Sequence, residues 1–211
     1  MNPALQSHAT LALCRLAPVI PVLVIHDIAH ARPLAEALVA GGLPVLEVTL
    51  RTPCALDAIE AMAAVPGAQV GAGTVLSAHD AARARAAGAG FAVSPGATET
   101  LIAACSAQEL PLLPGAATAT EVMALLEKGY RTMKFFPAGP AGGPAMLKAL
   151  GGPLPQVTFC PTGGVSPGNA AEYLSLSNVA CVGGSWVAPA EAMASGDWAL
   201  IEALAREAAA L

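Results

Sequence analysis

Lys134 lies in Thr132-Met133-Lys134-Phe135-Phe136-Pro137 and is the only charge in that short apolar run. Such a run reads as a strand, and a strand with apolar neighbours on both faces lies inside a protein, where an ammonium is badly solvated. A lysine there finds a carboxylate, snorkels to a strand end, or gives up its proton and becomes an amine nucleophile. The chain has only three lysines. Lys128 precedes Gly129 at the end of a helical stretch, where a cation complements the helix dipole. Lys148 has a polar face on a short helical pattern. Only Lys134 lacks a surface reading.

A second stretch supplies partners. In Glu47-Val48-Thr49-Leu50-Arg51-Thr52, Glu47 is the only carboxylate within any strand-like run. Glu47, Thr49 and Arg51 share one parity, so all three are expected to point inward. One reading is an internal Glu47–Lys134 or Glu47–Arg51 pair that merely neutralises buried charge. The other is a base beside an amine, with a guanidinium that clamps a carboxylate. Further runs end in small residues: Gly71-Ala72-Gly73-Thr74, Ser94-Pro95-Gly96 and Pro114-Gly115. These leave space for a ligand, or simply make tight turns. Pro161-Thr162-Gly163-Gly164 and Gly183-Gly184-Ser185 follow the last two runs, and such glycine pairs let backbone N–H groups approach an anion.

The elements that must position these residues repeat about every 20 to 24 residues, as a structural period and not a copied sequence. Apolar runs stand at Pro21–Ile25, Val45–Leu50, Val70–Val75, Phe91–Pro95, Pro111–Pro114, Met133–Pro137, Val157–Cys160 and Val179–Val182. Helical patterns fall near 31–40, 54–64, 78–87, 98–104, 119–128, 144–150, 168–175 and 198–210, after a short leading helix over 2–16. Ser77, the Thr118/Glu121 capping box and Ser166-Pro167 mark helix starts, and Gly41, Gly88 and Gly129 mark ends. Doubly buried strands alternating with helices mean a parallel sheet. Right-handed crossovers leave an open doubly wound sheet or a closed barrel, and eight even repeats favour the α/β class (β/α)8 TIM barrel. One domain over residues 1–211 is expected, with catalysis at the C-terminal ends of the strands.

Composition narrows the function. The chain of 211 residues carries a net charge of −5, 12% charged residues and no basic stripe, which argues against nucleic-acid binding. No apolar window is long enough for a membrane span, and no basic signal region leads the chain, so no membrane partner is expected. Five cysteines without a C-x-x-C read as reduced core thiols of a cytoplasmic protein. His26 and His30 straddle a strand-to-helix turn, and no cluster of metal ligands is legible, so neither a metal nor a cofactor is expected. An amine, an inward carboxylate, an arginine and a phosphate cradle assemble into one chemistry. The amine condenses with a ketone to an iminium, the adjacent C–C bond breaks to an enamine, and the carboxylate moves the protons. This predicts metal-free aldol cleavage of a phosphorylated keto acid.

The same residues carry a family resemblance. Glu47 to Thr52, Gly71 to Val75, Ser94-Pro95-Gly96, Lys134 to Ala138, Pro161 to Gly164 and Gly183 to Trp186 resemble the 2-keto-3-deoxy-6-phosphogluconate (KDPG) aldolases, in order and in register from about residue 15. The resemblance implies a class I aldolase of the Entner–Doudoroff pathway. It would cleave KDPG (2-dehydro-3-deoxy-6-phosphogluconate) to pyruvate and glyceraldehyde 3-phosphate, and also 4-hydroxy-2-oxoglutarate. It implies Lys134 as the Schiff-base lysine and Glu47 as the acid/base working through water. Arg51 and Thr74 would hold the carboxylate, Thr162 would line the site with Phe136 beside it, and Gly163, Gly164 and Ser185 would hold the phosphate. It implies a homotrimer. Pro-Leu-Asn, usual in the branch acting on the C4 epimer, is replaced here by Thr49-Leu50-Arg51. Gly139 stands where the family often has an acidic residue.

Overall fold

The computed structural model describes the whole chain, Met1 to Leu211. Helix α1 (Pro3–Cys14) comes first, with the Asn2 side chain accepting from the Leu5 N–H. Strands and helices then alternate: β1 (Val19–Leu23), α2 (Ala31–Ala40), β2 (Val45–Thr49), α3 (Ala55–Ala63), β3 (Gln69–Gly73), α4 (Ala78–Ala86), β4 (Phe91–Val93) and α5 (Glu99–Ala107). The second half runs β5 (Leu112–Leu113), β6 (Gly115–Ala116), α6 (Ala119–Lys128), β7 (Thr132–Phe135), α7 (Gly143–Gly151), β8 (Thr158–Pro161), α8 (Ala170–Leu174), β9 (Val182–Gly184), α9 (Ala190–Ser195) and α10 (Trp198–Ala209). No helix is long and apolar enough to cross a membrane.

The strand ladders are all parallel, in one sheet ordered β5-β4-β3-β2-β1-β9 and a second ordered β6-β7-β8. Only Pro114 separates β5 from β6, so the chain passes directly from one sheet into the other. At the opposite margin, isolated parallel bridges join Phe159 to Val179 and Thr162 to Gly183. Ile20, Val45, Phe91, Val93, Leu113 and Cys160 from the two sheets meet in one buried cluster with Cys14 and Cys181. The other faces of the strands pack on the helices, through Leu34, Leu38, Ile59, Val122 and Ile201 among others.

Several readings of the sequence shift. The fifth apolar run is broken at Pro114, which has no N–H to give the ladder. Strand β1 starts two residues before Pro21. It pairs with β9 over Val19–Pro21 and with β2 only from Val22, which accommodates the proline. The last strand is Val182–Gly184, beyond most of the Val179–Val182 run. Helix α8 begins at Ala170, because Ser166 to Asn169 form a turn in which the Ser166 N–H donates to Asn169 Oδ1 at 2.8 Å. Helix α9 has no counterpart in the apolar pattern, being six residues long and stopped by Gly196 at φ 69°. Gly41 does end α2, but at φ −76° and not in a left-handed cap. Its role is close approach, since a Cβ there would stand 2.4 Å from Ala205 Cβ and 2.7 Å from the Glu202 carbonyl oxygen.

Helix α1 buries polar residues because its job is to satisfy strand ends. Gln6, Ser7 and Thr10 are all buried. Ser7 Oγ accepts from the Arg131 and Thr132 N–H groups, each at 2.8 Å. Gln6 Oε1 accepts from the Leu112 N–H and from the Tyr130 hydroxyl. The helix therefore closes the N-terminal end of β5 and β7 with hydrogen bonds, where an apolar plug would strand backbone donors at a cost of about 1–3 kcal/mol each.

The capping box at α6 is formed as its sequence implies. The Glu121 carboxylate accepts from the Ala117 N–H at 2.8 Å and the Thr118 N–H at 3.0 Å, and Thr118 Oγ1 accepts from the Glu121 N–H. The bond from Ala117, and then those of Thr118, hold the Glu121 carboxyl below the usual range. Its contribution is thus present at neutral pH and lost as pH falls through the carboxylate range. Glu121→Gln should unfold at a lower temperature than the wild-type chain at pH 7, and the two melting temperatures should converge near pH 3. A gap that persists at low pH would place the effect elsewhere.

Candidate active site

Lys134 and Glu47 come from opposite sheets and meet. Glu47 lies in β2, in register with Val22 and Gly71, and Lys134 lies in β7, in register with Gly115 and Cys160. Lys134 Nζ donates to Glu47 Oε1 at 3.1 Å, and the two side chains are only 7% and 4% exposed. Of the alternatives open to a buried lysine, the structure selects the carboxylate. Nζ also stands 5.3 Å from the centroid of the Phe136 ring, within reach of a cation–π contact. Lys128, by contrast, pairs with the exposed Glu99, and Lys148 is exposed.

Room for the pair is made by a missing side chain. A Cβ on Gly73 would stand 2.3 Å from Glu47 Oε1 and 2.7 Å from its Cγ. Gly71 likewise admits the Phe91 ring, 2.4 Å from where its Cβ would be. The glycines of β3 thus house protein side chains, where the sequence left ligand space or a tight turn as the two readings. Gly96 does border open space, a cavity of about 200 Å³ that Phe136 also lines, whereas a Cβ on Gly115 would stand 2.2 Å from the Pro95 carbonyl oxygen.

The parity argument fails for Arg51. Glu47 and Thr49 are buried, but the Thr49 hydroxyl donates to the Leu23 carbonyl at 2.8 Å. The chain turns after Thr49, with the Arg51 N–H bonded to the Thr49 carbonyl at 2.8 Å. Arg51 is therefore exposed beyond the strand end. Its Nε donates to Thr74 Oγ1 at 3.1 Å, and it takes no carboxylate partner. Thr74 adopts φ 58°, a conformation rare for a β-branched residue. That backbone sets its hydroxyl against the guanidinium immediately after Gly73.

The loops after β7 and β8 run side by side. The Ala138 and Gly139 N–H groups donate to the Thr162 and Gly163 carbonyls, each at 2.8 Å. Gly163 and Gly164 have φ 93° and 82°, and a Cβ on Gly163 would press the Phe136 ring at 3.2 Å. The Gly163, Gly164 and Ser185 N–H groups have no acceptor within the protein. The Thr162–Gly183 bridge sets Gly164 and Ser185 level with each other. Gly183 and Gly184 lie within β9, where they make room for Thr162 Oγ1 and the Trp186 ring. Only Ser185 of that block presents a free donor. A Cβ on Gly139 would meet nothing closer than 3.5 Å, so a side chain fits there and its absence does not dictate the loop.

The structure thus gathers Lys134, Glu47 and Phe136 into one contact set and Arg51 with Thr74 into another. Gly163, Gly164 and Ser185 share a rim of free N–H groups, with Thr162 buried beneath it. It also corrects one expectation. The cysteines are scattered in the chain, but Cys14, Cys160 and Cys181 converge in space, which no local spacing signals.

A parallel α/β fold with a buried amine–carboxylate pair near its strand ends is the setting of an amine-nucleophile enzyme. A sequence model of the KDPG and KHG aldolase family matches residues 11–204, and the chain belongs to that family. It is 55% identical over 194 residues to a 2-dehydro-3-deoxy-phosphogluconate aldolase of Pseudoalteromonas atlantica, covering 92% of this chain and 90% of that one. Among solved structures it resembles the 2-keto-3-deoxy-6-phosphogluconate aldolase of Zymomonas mobilis with 3-phosphoglycerate, at 56% identity and TM-score 0.90 over 94% of both chains. The KDPG aldolase of Legionella pneumophila, with pyruvate captured as a covalent carbinolamine intermediate, aligns at 51% identity and TM-score 0.92 over 94% of this chain and 97% of that one.

Gly73→Ala should expel the Glu47 carboxylate and leave Lys134 buried without a partner. Breaking a buried pair from one side costs about 3–5 kcal/mol, and urea unfolding should register a loss of that order. A loss below about 1 kcal/mol would mean the carboxylate has somewhere else to go.

Proposed function

We propose that this chain is a class I aldolase cleaving 2-dehydro-3-deoxy-6-phosphogluconate to pyruvate and glyceraldehyde 3-phosphate in the Entner–Doudoroff pathway, with 4-hydroxy-2-oxoglutarate as a second substrate. The observation that carries this reading is the buried Lys134–Glu47 contact at 3.1 Å, in a chain of this family. Buried ion pairs are often no more stabilising than apolar residues of the same size. A pair set in an apolar interior is therefore better explained by chemistry than by stability.

In this reading Lys134 Nζ passes a proton to Glu47 and attacks the C2 ketone. Glu47, acting through water, returns a proton to the departing hydroxyl, which leaves an iminium. The base then takes the C4 hydroxyl proton, the C3–C4 bond breaks, and its electron pair flows into the iminium as an enamine. The aldehyde departs, C3 is protonated, and water releases pyruvate from Lys134. Arg51 and the Thr74 hydroxyl hold the substrate carboxylate, which suits a guanidinium at the mouth with no carboxylate of its own. The free N–H groups of Gly163, Gly164 and Ser185 hold the phosphate, and Thr162 and Phe136 line the space between. No cofactor is needed, because the iminium formed on Lys134 is itself the electron sink.

The architecture that serves this function is a closed (β/α)8 barrel with a short N-terminal helix, one domain over residues 1–211. Direct passage from β5 to β6 and the bridges from β8 to β9 support closure, as does the reach of Lys134 across to Glu47. The enzyme works in the cytoplasm as a homotrimer, a reading that rests on the family resemblance and that light scattering tests directly.

Borohydride reduction with pyruvate, followed by peptide mapping, should place a reduced adduct on Lys134, and Lys134→Arg should abolish both adduct and turnover. A folded protein that forms no adduct would end the iminium account. Glu47→Gln should lower kcat about 10²–10⁴-fold with little change in KM, whereas a rise in KM alone would make Glu47 a binding residue. Ser185→Pro removes one N–H donor and should raise KM for the phosphorylated substrate but not for 4-hydroxy-2-oxoglutarate. Equal loss on both would argue against the phosphate cradle.

A further inference from the structure

Three cysteines far apart in the chain meet inside the fold. Cys14 ends α1, Cys160 lies on β8, and Cys181 directly precedes β9. All three are free thiols and buried, and their sulfurs lie within 4.8 Å of one another. Around them are Ile20, Val45, Phe91, Val93 and Leu113. Thr162 Oγ1 lies 4.0 Å from Cys160 Sγ. Burial alone is ordinary for cysteine, which packs as a small hydrophobe. Convergence of three sulfurs from three separate elements is not explained by packing, which valine or alanine would do as well.

The spacing suits a metal. With metal–sulfur bonds of about 2.3 Å, three sulfurs stand about 3.8 Å apart in tetrahedral geometry and about 4.0 Å apart in a trigonal plane. The cluster reaches that by contracting at most about 1 Å. We propose that Cys14, Cys160 and Cys181 form a three-sulfur site for a soft d10 metal ion of the Zn(II) or Cu(I) kind. The ligand set is all sulfur in apolar surroundings, which selects thiophilic ions over oxygen-seeking ones.

Protonation agrees with the geometry. The neighbouring Cys14 and then Cys181 thiols, with the positive charge of Lys134 behind them, lower the Cys160 thiol below its ordinary range, against its burial. Contact with Cys160 raises the Cys14 thiol above its ordinary range, and contacts with Cys14 and Cys160 do the same for Cys181. Binding displaces the remaining protons, so uptake strengthens as pH rises. A divalent ion on three thiolates leaves one negative charge, beside the Lys134–Glu47 pair, since Lys134 is in register with Cys160 on the adjacent strand. The ion would tie α1 to β8 and to the segment that leads into β9.

The test uses full-length, reduced, metal-free protein with zinc sulfate and, separately, buffered Cu(I). Each is offered to the native protein and during refolding from denaturant, so that a closed interior does not limit uptake. Bound metal is counted after desalting and followed by its thiolate charge-transfer absorption. The expected result is stoichiometric uptake of at least one probe and a higher melting temperature. Cys14→Ala and Cys181→Val, which keep the interior apolar, should weaken binding at least about a hundredfold. Cys54→Ser, outside the cluster, and Cys105→Ser, whose thiol burial pushes up to about 11, should bind as the wild type does. Uptake far below stoichiometry by both routes, or uptake indifferent to Cys14 and Cys181 in folded variants, overturns the site.

Discussion

A single ammonium–carboxylate contact, Lys134 to Glu47 at 3.1 Å, sets the terms for the surrounding structure. Two charges taken out of water each cost several kcal/mol, and their attraction repays this only when the geometry is good. The pair therefore cannot be placed casually. It needs strands from both sheets held at a fixed distance, apolar layers that exclude water, and empty volume where a carboxylate must lie. Each of these is visible in the neighbouring residues.

Empty volume comes from glycine used subtractively. Gly73 gives up the space that Glu47 occupies, Gly71 the space of the Phe91 ring, and Gly183 the space of Thr162 Oγ1. Each missing Cβ admits a side chain from an adjacent strand. The interior is thus close-packed by exchange of volume between neighbours, with polar and charged groups seated where strands buried on both faces usually carry Val, Ile or Leu. On the other side, α1 contributes polar side chains where strand ends need partners, and Cys14 where the sulfurs gather.

The alternation of strands and helices was legible because periodicity and capping act locally. Helices α2 and α6 fall where the pattern of apolar residues and caps places them, and Thr118 with Glu121 forms the capping box that its spacing implies. What was misread had non-local causes. Pro114 divides a strand because of the ladder it would have to join. Arg51 leaves the interior because the chain turns at Thr49, a bond that parity does not encode. Gly41 ends its helix where it does because α10 arrives there from the far end of the chain. The six residues of α9 are too few to show a period at all.

For the site, the sequence by itself determined which groups are available: one lysine without a surface reading, one carboxylate within a strand run, and glycines beside both. It also carried the family, because blocks such as Lys134 to Ala138 are contiguous. Tertiary structure alone decided distances between residues remote in the chain. It joined Glu47 to Lys134 across 87 residues, set Arg51 against Thr74 at the mouth, and levelled Gly164 with Ser185. It also drew Cys14, Cys160 and Cys181 together. The physical reason is that residue type and local spacing fix what a side chain can do and which face of its element it leaves. Which other side chain it meets depends on how separate elements pack and register.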